Sequence, residues 1–212
     1  MKLYYAPKTS AFVPHLVLEE AGADFELLVL DLKRGEQRSD RMLEINPLGR
    51  VPVLVTADGT LSEVPAILTY IAGLYPSANL EPAELFAKAE LASFNAFLSS
   101  SVHVAIAHFG RAQRWADDPA ACEAMRAKAP SVYAGLFEII DWKLENGPWV
   151  CGAQFTTADP YVFYFARLLD LVQLDRRNYP SVERHYDRML SRPSVEGALA
   201  KERELIAAQA GA

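Results

Sequence analysis

Two joined folds are predicted, a small α/β domain followed by an all-helical one, and three observations predict them. Residues 1–76 alternate short β-rich runs with helical ones. A proline-bounded stretch, Pro76-Ser-Ala-Asn-Leu-Glu-Pro82, follows as a linker. Beyond it every periodic segment carries the helical spacing and none reads as a strand. The expected domains are therefore 1–76, a linker at 77–83, and an all-helical 84–212.

Taken in order, Lys2–Ala6 is a short strand closed by Pro7. Phe12–Ala21 sets Val13, Leu16, Val17 and Glu20 at helical spacing, with Gly22 as the stop. Phe25–Leu32 is the second strand and Val51–Thr56 the third. Ala57-Asp58-Gly59-Thr60 turns the chain into Leu61-Ser62. Pro65 suits the first turn of a helix carrying Ile67, Leu68, Ile71 and Leu74. A β-α-β unit followed by a hairpin and a helix is the thioredoxin arrangement, a mixed sheet covered on both faces. In the second part, Glu84–Trp115 is expected as one long helix with Leu85, Leu91, Phe94, Leu98 and Val102 in phase. Phe94, Phe97, Phe109 and Trp115 are expected in the core. Ala120–Glu145 is a second helix carrying Val132, Leu136, Ile139 and Ile140, and shorter ones start near Thr157, Ser181 and Ser194.

Composition removes several function classes. Hydrophobic residues make up 51% and charged residues 23%, ordinary for a soluble protein, and the formal charge is −6. Residues 1–76 carry 7 basic and 10 acidic side chains, so neither part offers the basic face that phosphate neutralisation needs. No nucleic-acid partner is expected. Cys122 and Cys151 stand at no metal or redox spacing, and no metal site is expected. The opening residues lack the apolar region of a signal peptide, and no apolar run approaches the roughly 20 residues of a membrane helix. A cytoplasmic location is the expectation.

The opening Lys2-Leu3-Tyr4-Tyr5-Ala6-Pro7, then Pro14-His15-Leu16-Val17-Leu18-Glu19-Glu20-Ala21-Gly22, resembles the first strand and helix of the glutathione transferase superfamily, and most closely of its bacterial beta class. Asn46-Pro47-Leu48-Gly49-Arg50-Val51-Pro52-Val53-Leu54 is similar to that family's N-P-x-G-x-V-P-x-L segment. Leu61-Ser62-Glu63-Val64-Pro65-Ala66-Ile67 matches L-x-E-[SG]-x-A-I except at Val64. Gly152-x-x-Phe155-Thr156-x-Ala158-Asp159 matches G-x-x-[FY]-[ST]-x-A-D. These segments occur in the family's order from residue 1 to about 165.

The resemblance implies glutathione as co-substrate, a hydrophobic electrophile as second substrate, and a homodimer acting in detoxification. It implies that Val51, before a cis bond to Pro52, pairs with the tripeptide backbone. Glu63 and the Val64 N–H would hold the γ-glutamyl end at a helix N-terminus, where exposed N–H groups favour a carboxylate. Lys33 or Arg34 would reach the glycyl carboxylate. Ser10 stands where the beta class carries cysteine, which excludes a mixed disulfide there and leaves a hydroxyl to stabilise the thiolate, as in theta- and zeta-type enzymes; Tyr5 is the alternative donor. A thiol of pKa about 8.5 needs roughly 2.7 kcal/mol of thiolate stabilisation to fall by about two units. One charge-assisted hydrogen bond together with a helix N-terminus supplies energy of that order. The same Ser10 would otherwise cap the helix. His103 falls at the position of the class's active-site histidine, while Ala96 and Gly35 replace an expected asparagine and lysine. Isomerisation, dehalogenation or peroxide reduction at the same site is a second reading, and a non-catalytic binding or scaffold protein a third. Thr156 and Asp159 are expected as a folding element in which each side chain takes the other's backbone N–H.

Overall fold

A computed structural model describes residues 1–210. Four strands form the sheet: β1 (Lys2–Tyr5), β2 (Glu26–Val29), β3 (Val53–Val55) and β4 (Thr60–Ser62), in the order β2-β1-β3-β4. β1 and β2 are parallel, whereas β1/β3 and β3/β4 are antiparallel. A parallel pair requires a crossover, supplied by helix α1 (Phe12–Glu20). The β3–β4 hairpin closes through Thr56, whose N–H reaches the Gly59 carbonyl at 2.9 Å and whose hydroxyl accepts from the Asp58 N–H at 3.1 Å. β3 starts two residues later than expected, since Pro52 has no N–H to give to a ladder.

Both sheet faces are covered. Tyr4 and Val53 pack with Met42 of helix α2 (Asp40–Ile45), and Leu28, Leu30 and Ile45 gather round them. Leu3, Tyr5 and Leu54 are fully buried, as are Phe12 and Leu16 of α1 and Ile67 of helix α3 (Val64–Leu74), and α1 packs on α3. α1 ends where Gly22 turns left-handed at φ 61°, as its position predicts.

Residues 1–80 form one compact unit together with the chain from Leu190 onward, and residues 81–189 form another. The last helix, α9 (Pro193–Ala210), therefore belongs with the sheet and not with the helices that precede it in sequence. It lies against α1. Arg192 grips the Glu20 carboxylate with two bonds of 2.6 Å, and the Ser194 hydroxyl bonds the same group.

The second unit contains α4 (Leu85–Phe97), α5 (His103–Arg111), α6 (Pro119–Lys143), α7 (Ala158–Ala166) and α8 (Pro180–Leu190). The single helix expected over Glu84–Trp115 is interrupted by a π turn at Leu98–Val102, which widens the repeat and shifts the buried face. Leu91, Leu98 and Val102 are buried, Phe94 is half-buried, and Leu85 is 84% exposed. Trp115 is exposed as well, with its ring tilted against His108 and not in the core. α6 buries Ile140 as expected, together with Tyr133 and Phe137, whereas Leu136 is half-buried and Val132 and Ile139 meet solvent. Before α7, half of the expected reciprocal cap forms. The Asp159 carboxylate takes the Thr156 N–H at 2.7 Å, but the Thr156 hydroxyl donates to that carboxylate instead of accepting the Asp159 N–H. The Val150 N–H, at 2.9 Å, and His185 Nε2, at 3.0 Å, complete the shell of this buried carboxylate.

Beneath the first unit's sheet-to-helix loop lies His15, 2% exposed, with its ring set edgewise to Tyr5, Phe12 and Phe25. Its Nε2 is 3.4 Å from Glu19 and its Nδ1 has no hydrogen-bond partner among the described residues. Burial lowers the His15 pKa below the usual 6.5; the Glu19 and Glu202 charges oppose this and Lys201 adds to it. The unfolded chain therefore binds this proton more readily than the folded one. Stability contributed by neutral His15 is complete above about pH 6.5 and is lost on acidification below it. Urea unfolding between about pH 7.5 and about pH 5.5 is expected to show a decline that His15→Leu flattens, the difference approaching at most about 1.4 kcal/mol per pH unit.

Candidate active site

Sheet register brings the residues singled out in the sequence to one edge. Tyr4 pairs with Val53 and Val53 with Ser62, while Tyr5 pairs with Val29. The chain leaving β1 toward Ser10, the chain entering β3 through Val51-Pro52, the chain leaving β4 into Glu63-Val64 and the chain leaving β2 toward Lys33 all emerge on that side. With neighbouring strands about 4.8 Å apart, the Ser10, Val51 and Glu63 segments start within about 10 Å of one another.

The loop after β1 is built by Thr9 and Glu202. Thr9 donates its hydroxyl to the Ala6 carbonyl at 2.7 Å and accepts the Ala11 N–H at 3.2 Å, a local turn that opens α1. Ser10 does not cap the helix by its side chain. Its carbonyl accepts from Val13 at 3.1 Å, while its hydroxyl and its N–H have no partner among the described residues. Tyr5, fully buried, donates its hydroxyl to Glu202 of α9 at 3.2 Å. The same Glu202 oxygen accepts the N–H of Lys8, a residue held at φ 60°. Sequence alone hides Glu202, because it sits among Lys201, Arg203 and Glu204 in what reads as a solvated helix face.

Asn46 shapes the approach to β3. Its side-chain N–H reaches the Arg50 carbonyl at 2.9 Å and its side-chain oxygen accepts the Leu48 N–H at 3.1 Å. Gly49 turns at φ 58°, where a Cβ would come within 3.2 Å of the Gln37 carbonyl, so glycine is required. The turn delivers Val51, joined to Pro52 by a cis bond, with its N–H and C=O unpaired among the described residues.

At α3, Glu63 holds φ 68° and ψ 123°, a conformation that L side chains rarely adopt. It carries the chain out of the ladder, and its exposed carboxylate has no partner among the described residues. Val64 is buried, but its N–H and that of Ala66 are open at the helix N-terminus, and Pro65 between them contributes none. After β2, Asp31 accepts the N–H of Lys33 at 2.8 Å and holds the Arg34 guanidinium at 3.5 Å. The Lys33 ammonium has no ion pair among the described residues.

In the second unit, His103 leads out of the π turn, half-buried, with its ring 5.8 Å from Phe165 in an edgewise contact. Asn95 is buried and donates to Thr157 at 3.2 Å. Both cysteines also belong to this unit. Cys122 is buried with its sulfur 3.1 Å from the Ala116 carbonyl, and burial pushes the half-buried Cys151 thiol up in pKa, partly offset by the Thr156 hydroxyl. Among the described residues no three His, Cys, Asp or Glu side chains gather as a metal site, and no helix is long and apolar enough to cross a membrane.

A thioredoxin-like sheet with a cis-proline edge, joined to a helical unit, defines the glutathione S-transferase class. The chain belongs to the glutathione S-transferase family, whose N-terminal domain matches residues 1–73 and whose C-terminal domain matches residues 106–202. Glutathione S-transferase GstA of Escherichia coli O157:H7 is 30% identical over 95% of this chain and 98% of its own length. Disulfide-bond oxidoreductase YfcG of Escherichia coli K12 is 30% identical over 94% of each chain. Among solved structures, a glutathione transferase homologue from Sulfitobacter with bound glutathione is 34% identical and superposes with a TM-score of 0.90 over 94% of this chain and 97% of that one. The beta-class enzyme of Sphingomonas chungbukensis is 32% identical, with a TM-score of 0.83 over 95% and 98%.

The Glu63 backbone supplies a test of its own. Glu63→Gly removes the side chain from a left-handed position and is expected to raise unfolding stability by about 1 kcal/mol, whereas Glu63→Ala gives no such gain. Thermal unfolding of the two variants checks this.

Proposed function

We propose that this protein binds glutathione at the sheet edge and joins it, through its thiolate, to an electrophilic carbon of a hydrophobic small molecule. The observation that carries the reading is Ser10, whose hydroxyl and N–H have no partner among the described residues, at the start of α1 and at the same end of the sheet as the Val51 backbone. The chemistry of the donors fits the tripeptide group by group. Val51 offers one N–H and one C=O to its peptide backbone. The open N–H groups of Val64 and Ala66 suit its γ-glutamyl carboxylate, and the Glu63 carboxylate suits the ammonium beside it. Lys33 suits the glycyl carboxylate better than Arg34, whose charge is already shared with Asp31. Val64 contributes by its backbone alone, so a valine where the family carries serine or glycine forgoes at most a hydroxyl bond without closing the subsite.

Ser10 donates its hydroxyl to the sulfur, and the α1 N-terminus adds a favourable field, which together stabilise the thiolate over the thiol. The proton leaves to solvent. The thiolate forms the C–S bond as the carbon's leaving group departs with its electron pair. Tyr5 is not given this role, because its hydroxyl is buried and donates to Glu202. His103, at the exit of a π turn, is assigned to the second substrate; π turns recur at functional sites. Ser10→Ala is expected to retain glutathione within about threefold in calorimetry while lowering kcat/KM by about 100-fold and removing the thiolate absorbance near neutral pH. Absence of glutathione binding by the unmodified protein at millimolar concentration overturns the reading in favour of a non-catalytic protein.

The likeness to a disulfide-bond oxidoreductase favours a second reading, in which the same thiolate attacks the sulfur of a small disulfide and releases a thiol. It needs no protein cysteine in the loop. Parallel assays with 1-chloro-2,4-dinitrobenzene and with bis(2-hydroxyethyl) disulfide separate the two.

A homodimer is part of this proposal. Leu85 and Phe86 begin α4 at 84% and 77% exposure, an apolar pair suited to a second copy. Phe86→Glu is expected to shift sedimentation from dimer to monomer.

A further inference from the structure

We infer that Glu202 is a positioning residue: from the last helix it holds the loop that presents Ser10 and so sets how well bound glutathione ionises. This rests on the glutathione reading above and assigns it a residue outside the sheet edge. The observation is a carboxylate only 3% exposed, placed 194 residues beyond its partner in sequence, with one oxygen taking two donors from opposite ends of a turn. Tyr5 closes β1 and Lys8 stands two residues before Ser10. Oε1 accepts the Tyr5 hydroxyl at 3.2 Å and the Lys8 N–H at 3.0 Å. Lys8 at φ 60° is a non-glycine residue in the left-handed region, a conformation kept only where surrounding bonds impose it. A buried acceptor on the Lys8 N–H is such a bond. The next bonds in the chain are those of Thr9 to Ala6 and Ala11, so the turn from Tyr5 to Ser10 is fixed at Lys8 by α9 and at Thr9 by itself.

Glu202 does not reach the reacting sulfur in this scheme; it acts through the loop backbone. The charged and titratable groups that act with it on this buried cluster are His15 and Glu19 of α1 and Lys201 of α9. Because both donors use one oxygen, what matters is an acceptor at that reach and not the negative charge. Glutamine preserves the acceptor and removes the charge. Aspartate preserves the charge and withdraws the acceptor by one methylene. These two substitutions therefore separate positioning from electrostatics.

The test compares wild type with Glu202→Gln, Glu202→Asp and Glu202→Ala in the full chain. Three quantities are measured: amide hydrogen exchange at Lys8, the pH midpoint of the thiolate absorbance of bound glutathione, and kcat/KM. The expected result is loss of Lys8 protection by about tenfold or more in the Asp and Ala variants. With it come a thiolate midpoint raised by about half a unit to one unit and a kcat/KM lowered by about tenfold to 100-fold. Glu202→Gln is expected to recover most of each. If the Ala variant does not fold, the Gln and Asp pair carries the same comparison. A midpoint preserved by Asp but shifted by Gln overturns the inference, since charge and not reach is then the cause. Equally, a fall in melting temperature with Lys8 exchange and the midpoint unchanged reduces Glu202 to an anchor of α9 and overturns it. Should Lys8 loosen as expected while the wild-type protein shows no bound thiolate, the glutathione reading falls with the catalytic half of this inference, and the hold of Glu202 on the loop stands.

Discussion

Strand register governs this molecule's chemistry. Val53 faces Tyr4 on one side and Ser62 on the other, and with the Tyr5–Val29 pair these pairings decide that four chain segments far apart in sequence meet at one end of the sheet. A slip of one residue in β3 would turn Val53 away from Met42 and expose the apolar face packed against α2, so the register is tied to burial. The same slip would carry the Val51 backbone out of line with Glu63. Packing and site geometry are thus a single constraint, satisfied by the same few apolar side chains.

Of the four positive-φ positions other than glycine among the described residues, two lie at that edge, while Asn79 and Gln173 lie elsewhere. Lys8 and Glu63 both carry positive φ without being glycine, and Gly49 turns the chain between them. Each is held by bonds that can be named for two of the three: Glu202 on Lys8, and Asn46 with the tight approach to Gln37 around Gly49. No bond that holds Glu63 is found among the described residues, and its carboxylate is exposed. Strain concentrated at one edge of an otherwise relaxed sheet is the pattern expected where backbone groups are aimed at something other than the fold.

Much of this was legible in the residues. Local signals were sufficient for the Gly22 stop, the Asp58-Gly59 hairpin and the Pro65 helix start, because turn chemistry acts over a few residues. The N-P-x-G-x-V-P and L-x-E segments pointed to Val51 and Glu63 before any strand order was known. What stayed hidden depends on distant partners. Glu202 carries no mark among its charged neighbours, and only the docking of α9 on α1 shows that it is buried. That docking also groups α9 with the sheet in one compact unit. The π turn at Leu98–Val102 has no sequence signature in a Ser-rich stretch, and it is what divides the single helix expected over Glu84–Trp115. Ser10 looked equally suited to capping a helix, and only the bonds made by Thr9 leave it without that task.

The placement of the two cysteines has a consequence for durability. No sulfhydryl belongs to the unit that carries Ser10, and the two that exist are either enclosed, at Cys122, or kept in the less reactive protonated form, at Cys151. A catalyst that handles thiol-seeking compounds with a borrowed sulfur discards each modified sulfur with the product. In the proposed reaction the loop that presents Ser10 therefore offers no protein sulfhydryl for such a compound to modify.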